Sequence, residues 1–334
     1  MTRKLLVTGA TGGLGVAVTR AALARGHQVR ATGRSRTKGA LLVELGAEFM
    51  PLDLVEAHGD LPSLLEGRQS VIHAAALSSS WGAHADFDRI NVQATRHLLD
   101  AAATAGCERF VFISSPSIFA AFRDRLDIGL DDAPAARPLN PYASTKLAAE
   151  RMVLAANGAL ACCAIRPRAL VGEGDTVILP RLATLARRKR VPLPRGGRAM
   201  IELTDLRDAA EAALLAEQHA DVIGGRAINV SGGRPVAVRD VARSLAAALG
   251  CEPRLINLPP ALARPLAFLS EALAELAGSK TEPALTRYTL ATLGYSQTFD
   301  QAPAARLLGY RPQYDALETL LSEARKLAAT EAAP

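Results

Sequence analysis

Tyr142 and Lys146 stand at i and i+4 in the run Tyr142-Ala-Ser-Thr-Lys146, a spacing that puts both side chains on one face of a helix. A phenol ordinarily titrates near pH ~10, too high to exchange protons readily at neutral pH. A lysine cation one turn away favours the phenolate. Ser115 lies earlier in the chain, just after an apolar run, and its hydroxyl can hydrogen-bond an oxygen of a substrate. The three residues together could pass a proton to or from such an oxygen. The tyrosine–lysine spacing alone recurs by chance, so the surroundings of the trio decide its weight.

The first of these surroundings is a glycine turn. Thr8-Gly9-Ala10-Thr11-Gly12-Gly13-Leu14-Gly15 follows the apolar run Lys4 to Thr8 and precedes helical spacing from Val16 to Arg25. That is the context a dinucleotide-binding fingerprint requires. Gly9 permits the tight turn, Gly12 lets the backbone approach a pyrophosphate, and Gly15 lets helix and strand pack closely. Thr11, Gly13 and Leu14 complete the turn, where the helix N-terminus offers N–H groups to phosphates. After the second strand come Gly33, Arg34, Ser35 and Arg36. NAD sites usually place an Asp or Glu here for the ribose 2′-OH. Gly33 stands in its place, and Arg34 can face a 2′-phosphate, helped by Arg36 or Lys38. NADP is therefore the expected cofactor and NAD the alternative; ordinary surface bases beside an indifferent site would leave the same pattern. Asp53, with Leu54 beside it, follows the third strand and could bond the adenine amino group. Ala74, Ala75 and Ala76 are small enough for a cofactor to lie against.

Seven short apolar runs alternate with helical spacing: Lys4–Thr8, Gln28–Thr32, Glu48–Met50, Val71–Ala75, Phe110–Ser114, Ala161–Arg166 and Ala227–Val230. The alternation predicts an α/β fold, a doubly wound parallel sheet covered on both faces. The expected dinucleotide-binding domain is residues 1–168 plus about 202–235. A smaller, mostly helical C-terminal substrate domain takes 169–201 and 236–330. Predicted helices include Asp88–Ala105, Tyr142–Asn157, Pro180–Arg190, Asp205–Glu217, Val238–Leu249 and Leu258–Ala277. The last has amphipathic spacing. It reads as a helix packed on the second domain, with a lid over an apolar substrate and a surface leaning on lipid left open.

These residues resemble the extended short-chain dehydrogenases/reductases over nearly the whole chain. The matching pieces are the glycine turn, Val71-Ile-His-Ala-Ala-Ala76, Asn91-Val-Gln-Ala-Thr95, Phe112-Ile-Ser-Ser-Pro-Ser117, Tyr142 to Lys146, Arg166-Pro167, Asp208 and Leu308-Gly-Tyr-Arg-Pro312. Within them the chain is similar to the 3β-hydroxysteroid dehydrogenase/isomerase branch, and there to bacterial reductases of 2-alkyl-3-oxoalkanoates. Trp81-Gly82, Arg166-Pro-Arg168 and Leu285-Thr-Arg-Tyr288 carry that finer likeness. The resemblance implies that Tyr142 is the acid in reduction and the base in oxidation. It implies that Lys146 holds the nicotinamide ribose and lowers the Tyr142 pKa, and that Ser115 orients the carbonyl, with Ser114 and Ser117 as substitutes. Asn91 either supports a proton-relay water or bridges backbone groups. Trp81, Ser115, Ser117 and Tyr142 are the expected substrate contacts. Nucleotide-sugar enzymes of the superfamily commonly carry an arginine where this chain has Ile201, with Arg198 offset by three; that favours an apolar ketone or alcohol over epimerisation or dehydration of a nucleotide sugar. A non-catalytic NADP-binding regulator is the alternative of another class.

Composition sets outer bounds. The chain has 334 residues, 49% of them hydrophobic, enough for a sizeable core. With 4% aromatics and a net charge of +6, no nucleic-acid partner is expected. The basic run Arg187 to Arg190 reads as a solvated helix end or as a contact with an acidic substrate or surface. The four cysteines show no metal-ligand spacing and the six histidines no cluster, so no metal is expected, and a reducing cytoplasm fits. His73 reads as a structural residue at a strand end. No run of 18 apolar residues exists, so no membrane span is expected, though peripheral contact stays open. The expected partners are a small hydrophobic substrate and a second copy of the chain, as a homodimer.

Overall fold

The computed structural model describes residues 2–332. Seven parallel strands form the central sheet: β1 (Lys4–Thr8), β2 (Gln28–Gly33), β3 (Glu48–Pro51), β4 (Ser70–His73), β5 (Arg109–Ile113), β6 (Ala161–Pro167) and β7 (Ala227–Val230). Their order across the sheet is β7-β6-β5-β4-β1-β2-β3. The order reverses direction at β1 and β4, the switch point where ligands of such sheets bind. Alternate residues of the inner strands enter opposite cores. Leu5, Val7, Ile72, Val111 and Cys163 pack into one, and Leu6, Val71, Phe110, Phe112 and Cys162 into the other. Burial on both faces explains why these strands read as continuous apolar runs. The predicted doubly wound sheet is the fold observed.

The C-terminal part is mostly helical, with Ile178–Ala186, Val238–Ala248, Pro260–Leu276, Arg287–Gly294 and Ala316–Ala332 among its helices. Short strands form three smaller sheets apart from the central one. Arg190–Pro194 pairs with Arg254–Leu258, and Leu170–Val171 pairs with Thr204–Asp205. A four-stranded sheet joins Val236–Ala237, Met200–Ile201, Gln297–Phe299 and Arg125–Ile128.

Three expected elements differ. The helix expected to reach Arg190 ends at Ala186, and Arg190 opens a strand. Pro192 and Pro194 supply no N–H and suit an edge pairing better than a helix. Arg187 to Arg190 are exposed, and Arg187 pairs with Glu331. The helix expected from Asp88 runs as a π-turn over Asp88–Gln93 before it becomes α-helical at Ala94. The helix expected from Leu258 begins at Pro260, and Leu258 ends a strand. Among the described residues, no helix is long and apolar enough to cross a membrane.

Candidate active site

A continuous cleft of about 1290 Å³ runs from the glycine turn, past the C-terminal ends of β4 and β5, to the helices of the C-terminal part. The turn is built for close approach. Gly9 has φ +63°, and a Cβ there would fall 2.6 Å from the Ala75 nitrogen. A Cβ on Gly15 would fall 2.3 Å from the Gly9 carbonyl oxygen. The first helix starts at Gly13 with Gly12 as its cap and no side-chain bond there, so its terminal N–H groups lie where a diphosphate would be held. Gly9, Thr11, Gly12, Gly13, Leu14 and Gly15 all line the cleft, as do Arg34, Lys38, Asp53, Leu54, Ala74, Ala75 and Ala76. The cradle therefore fits a dinucleotide. Arg34 is 76% exposed at its side chain and sits 4.0 Å from the Asp53 carboxylate. Arg36 is exposed in the first turn of the next helix and lies outside the lining.

Helix Pro141–Ala155 positions Tyr142 and Lys146. Asn140 caps it by accepting a bond from the Ala143 N–H at 2.9 Å, and Pro141 supplies its first residue. Tyr142 and Lys146 then lie one turn apart and both line the cleft, together with Ser115. Burial pushes the Tyr142 phenol up to about 12; the neighbouring Ser115 hydroxyl pulls the other way, and Tyr288 adds to the rise. Lys146 is buried, and its Nζ donates to the Ile113 carbonyl and stands 4.0 Å above the Phe112 ring. Burial brings it down to about 7, while Glu150 pulls the other way. Glu150 itself accepts two bonds from Arg166, at 2.8 and 2.6 Å.

Asn91 lies in the π-turn, outside the cleft lining. Its Oδ1 accepts from the Leu77 N–H at 2.8 Å, and its Nδ2 donates to the Leu77 carbonyl at 3.3 Å and to Thr145 Oγ1 at 3.2 Å. The side chain thus bridges backbone groups, tying the segment after β4 to the helix of Tyr142. His73 is fully buried between Thr8 Oγ1 at 2.7 Å and Thr95 Oγ1 at 2.9 Å. Burial lowers it to about 3, so the ring stays neutral.

Several expected contacts lie elsewhere. Trp81 is outside the lining, and its indole Nε1 donates to the Ser279 carbonyl at 2.9 Å. Ser117 is buried in the short turn Pro116–Phe119, where its N–H donates to Ser115 Oγ at 3.2 Å. That turn packs Ile118 and Phe119 against Leu147 and Phe299 instead of opening them to the cleft. Helix Pro260–Leu276 also leaves the lining, because Ala263 and Ala267 pack on Leu290. The substrate end is walled instead by Leu182, Leu185, Val241, Leu245, Leu285 and Leu293, with Arg168 and Tyr288 among them. Arg168 and Tyr288 had a sequence signal only as parts of finer family likenesses. Nothing local says that residues so far apart in the chain meet.

The pattern of the NAD dependent epimerase/dehydratase family matches residues 5–231. The uncharacterized protein YbjS of Escherichia coli is 35% identical, over 92% of this chain and 93% of its own. The 2-alkyl-3-oxoalkanoate reductase of Stenotrophomonas maltophilia is 34% identical, over 99% of this chain and 100% of its own. The 4-hydroxy-2-methyl-3-oxo-4-farnesyl-3,4-dihydroquinoline-1-oxide ketoreductase of Stigmatella aurantiaca is 34% identical, over 92% and 91%. Among solved structures, MoeE5 in complex with UDP-glucose and NAD superposes with a TM-score of 0.74 at 26% identity, covering 98% of this chain and 100% of that one. With match and fold in agreement along the chain, it belongs to the NAD dependent epimerase/dehydratase family, as an extended short-chain dehydrogenase/reductase.

Proposed function

We propose that the protein is an NADP(H)-dependent oxidoreductase that interconverts a hydrophobic ketone, 3-oxoacyl or sterol-like, and its secondary alcohol. The observation that carries this reading is the grouping of Ser115 with the Tyr142 phenol, and Lys146 one turn away, in a cleft joining a dinucleotide cradle to an apolar wall. Glycines 9, 12, 13 and 15 would hold the diphosphate, and Arg34 with Lys38 the 2′-phosphate. Asp53 and Leu54 would meet the adenine, Ala74 to Ala76 the body of the cofactor, and Lys146 the nicotinamide ribose. The nicotinamide, when bound, supplies or accepts the hydride. Ser115 donates to the substrate oxygen and fixes its direction. Tyr142 gives that oxygen a proton in reduction and removes it in oxidation. The Lys146 cation stabilises the phenolate left behind. Asn91 holds the Leu77 segment in place as a positioning residue.

Ile201 lines the cleft and is 8% exposed. An apolar side chain there supports a ketone or alcohol over a nucleotide sugar. Cys107, Cys162 and Cys163 are free and buried, in keeping with the reducing cytoplasm we infer. We also infer a homodimer, for which the uncovered leucines of helix Pro260–Leu276 are the support.

The test is turnover of apolar ketones and secondary alcohols with NADP(H), read by absorbance of the reduced cofactor. Tyr142→Phe is expected to lower turnover by at least ~100-fold with cofactor binding kept. Turnover confined to small hydrophilic sugars, or unchanged in Tyr142→Phe, would reject the reading.

A further inference from the structure

Arg168 is 8% exposed, lines the cleft, and has no hydrogen-bond partner at Nε. Its neighbours on the chain fix it from both sides. Its N–H donates to the Val230 carbonyl at 2.9 Å, its carbonyl accepts from the Thr204 hydroxyl, and Ala169 beyond it is held at φ +41°. A non-glycine residue in that region is strained, so the strain lies next to Arg168.

Other arginines of this region are satisfied within the protein. Arg166 is clamped on Glu150. Arg181 bonds Glu282 at 2.6 Å and Ser80 Oγ at 2.9 Å. Arg168 has no ion pair within 4 Å among the described residues. Burial lowers its pKa, and Tyr288 and the carboxylate of Glu202 pull the other way. Glu202 is a poor counter-charge: burial raises its carboxyl, Oε2 has no partner, and Oε1 accepts from the Phe299 N–H at 3.4 Å. A buried cation without an anion is strongly unfavourable. A ligand that brings the anion would relieve it, and the planar guanidinium fork suits a carboxylate. Arg168 and Tyr288 line the same cleft as Ser115 and Tyr142, so one substrate can reach both the guanidinium and the proton-transfer residues.

We propose that Arg168 binds a carboxylate of the substrate, so that this enzyme prefers the free oxo or hydroxy acid over its neutral ester. The proposal rests on the oxidoreductase reading above and adds the polar end of the substrate to it. The carbonyl or hydroxyl lies at Ser115 and Tyr142, the carboxylate on Arg168, and the hydrocarbon against Leu182, Leu185, Val241 and Leu245.

The test compares a long-chain 3-hydroxy acid with its methyl ester and with a neutral secondary alcohol of the same length, oxidised by the enzyme with NADP. The acid is expected to have the highest kcat/KM in the parent protein. Arg168→Met is expected to raise the KM for the acid at least about 30-fold, as loss of one partner of a buried charge pair does. The loss for ester and neutral alcohol is expected to be at least about tenfold smaller than for the acid, and Arg168→Lys should recover part of the loss. Calorimetric binding of decanoate should be lost in Arg168→Met. Equal loss for acid and ester would mark Arg168 as structural and overturn the proposal. Parent enzyme that turns over ester or neutral alcohol as well as acid would overturn it while sustaining the oxidoreductase reading. No turnover of any of the three would overturn both. If Arg168→Met does not fold, the ratio of acid to ester in the parent protein still decides.

Discussion

Lys146 shows how far burial alone can move a group into a working range. Desolvation brings its ammonium from an ordinary value of 10.5 down to about 7, against the pull of Glu150. The Tyr142 phenol moves the other way, to about 12, and stays protonated through neutral pH. On the proposed mechanism, reduction needs that proton, and it needs the Lys146 cation to stabilise the phenolate that follows. The cation is present below about 7 and is lost as pH rises through that value. We therefore expect kcat/KM for reduction to fall as pH rises through about 7, because that parameter reports groups of the free enzyme. Lys146→Arg, which keeps its charge, should be slower but should lack this limb. A limb of the same position in both proteins would assign it to another group. Stability follows the same titration with the opposite consequence. A lysine whose folded pKa is lowered carries the full cost of its buried charge below about 7 and sheds that cost as pH rises toward 10.5. Lys146→Met should thus gain more melting temperature over the parent protein at pH ~6 than at pH ~10.

The end of β2 joins local sequence to cofactor choice. A Cβ on Gly33 would fall 2.6 Å from Thr11 Oγ1, so the strand end and the glycine turn are fitted to each other. Gly33→Asp alone is expected to weaken both cofactors, because the new side chain displaces Thr11. Arg34→Asp leaves that fit intact, removes the proposed partner of a 2′-phosphate and adds one for a 2′-hydroxyl. It should reverse a preference for NADPH over NADH, with a loss of about 10-fold or more for NADPH when a charge-assisted bond goes. Fluorescence titration of the two reduced cofactors reads this directly, and equal affinities in the parent protein would remove the argument. The elements around this site were legible because their signals are local: continuous apolar runs in the strands, glycines at turns, and the i, i+4 spacing of Tyr142 and Lys146. The π-turn at Asn91 and the two-residue strands Leu170–Val171 and Thr204–Asp205 were not. Their hydrogen bonds are chosen by partners distant in sequence, as Asn91 is by Leu77 and Thr145. Arg168 was invisible as a site residue for the same reason, since the absence of a counter-charge is a property of the fold.

Across the whole molecule, one surface is at odds with an ordinary exterior. Helix Pro260–Leu276 buries Ala263, Ala267 and Glu271, while Leu262, Leu266, Phe268, Leu269, Leu273 and Leu276 remain exposed, Leu276 by 86%. The leucines follow steps of four, three, four and three, the spacing of a seam between two helices. A second copy of the chain matches that seam by construction, since a twofold pair sets the same stripe against itself. Five leucines and a phenylalanine per copy would give such a pair an apolar centre of the kind homodimers have. None of the six lines the cleft, so disrupting them should separate assembly from activity. Leu266→Glu combined with Leu273→Glu places acids on both sides of the seam. The double variant is expected to sediment as a monomer where the parent protein sediments as a dimer, with kcat/KM for the best ketone unchanged. A dimer of unaltered mass would put the pairing surface on another face. A parent protein that is itself monomeric would leave the stripe without a second copy as its occupant, and flotation with anionic vesicles would then ask whether lipid covers it.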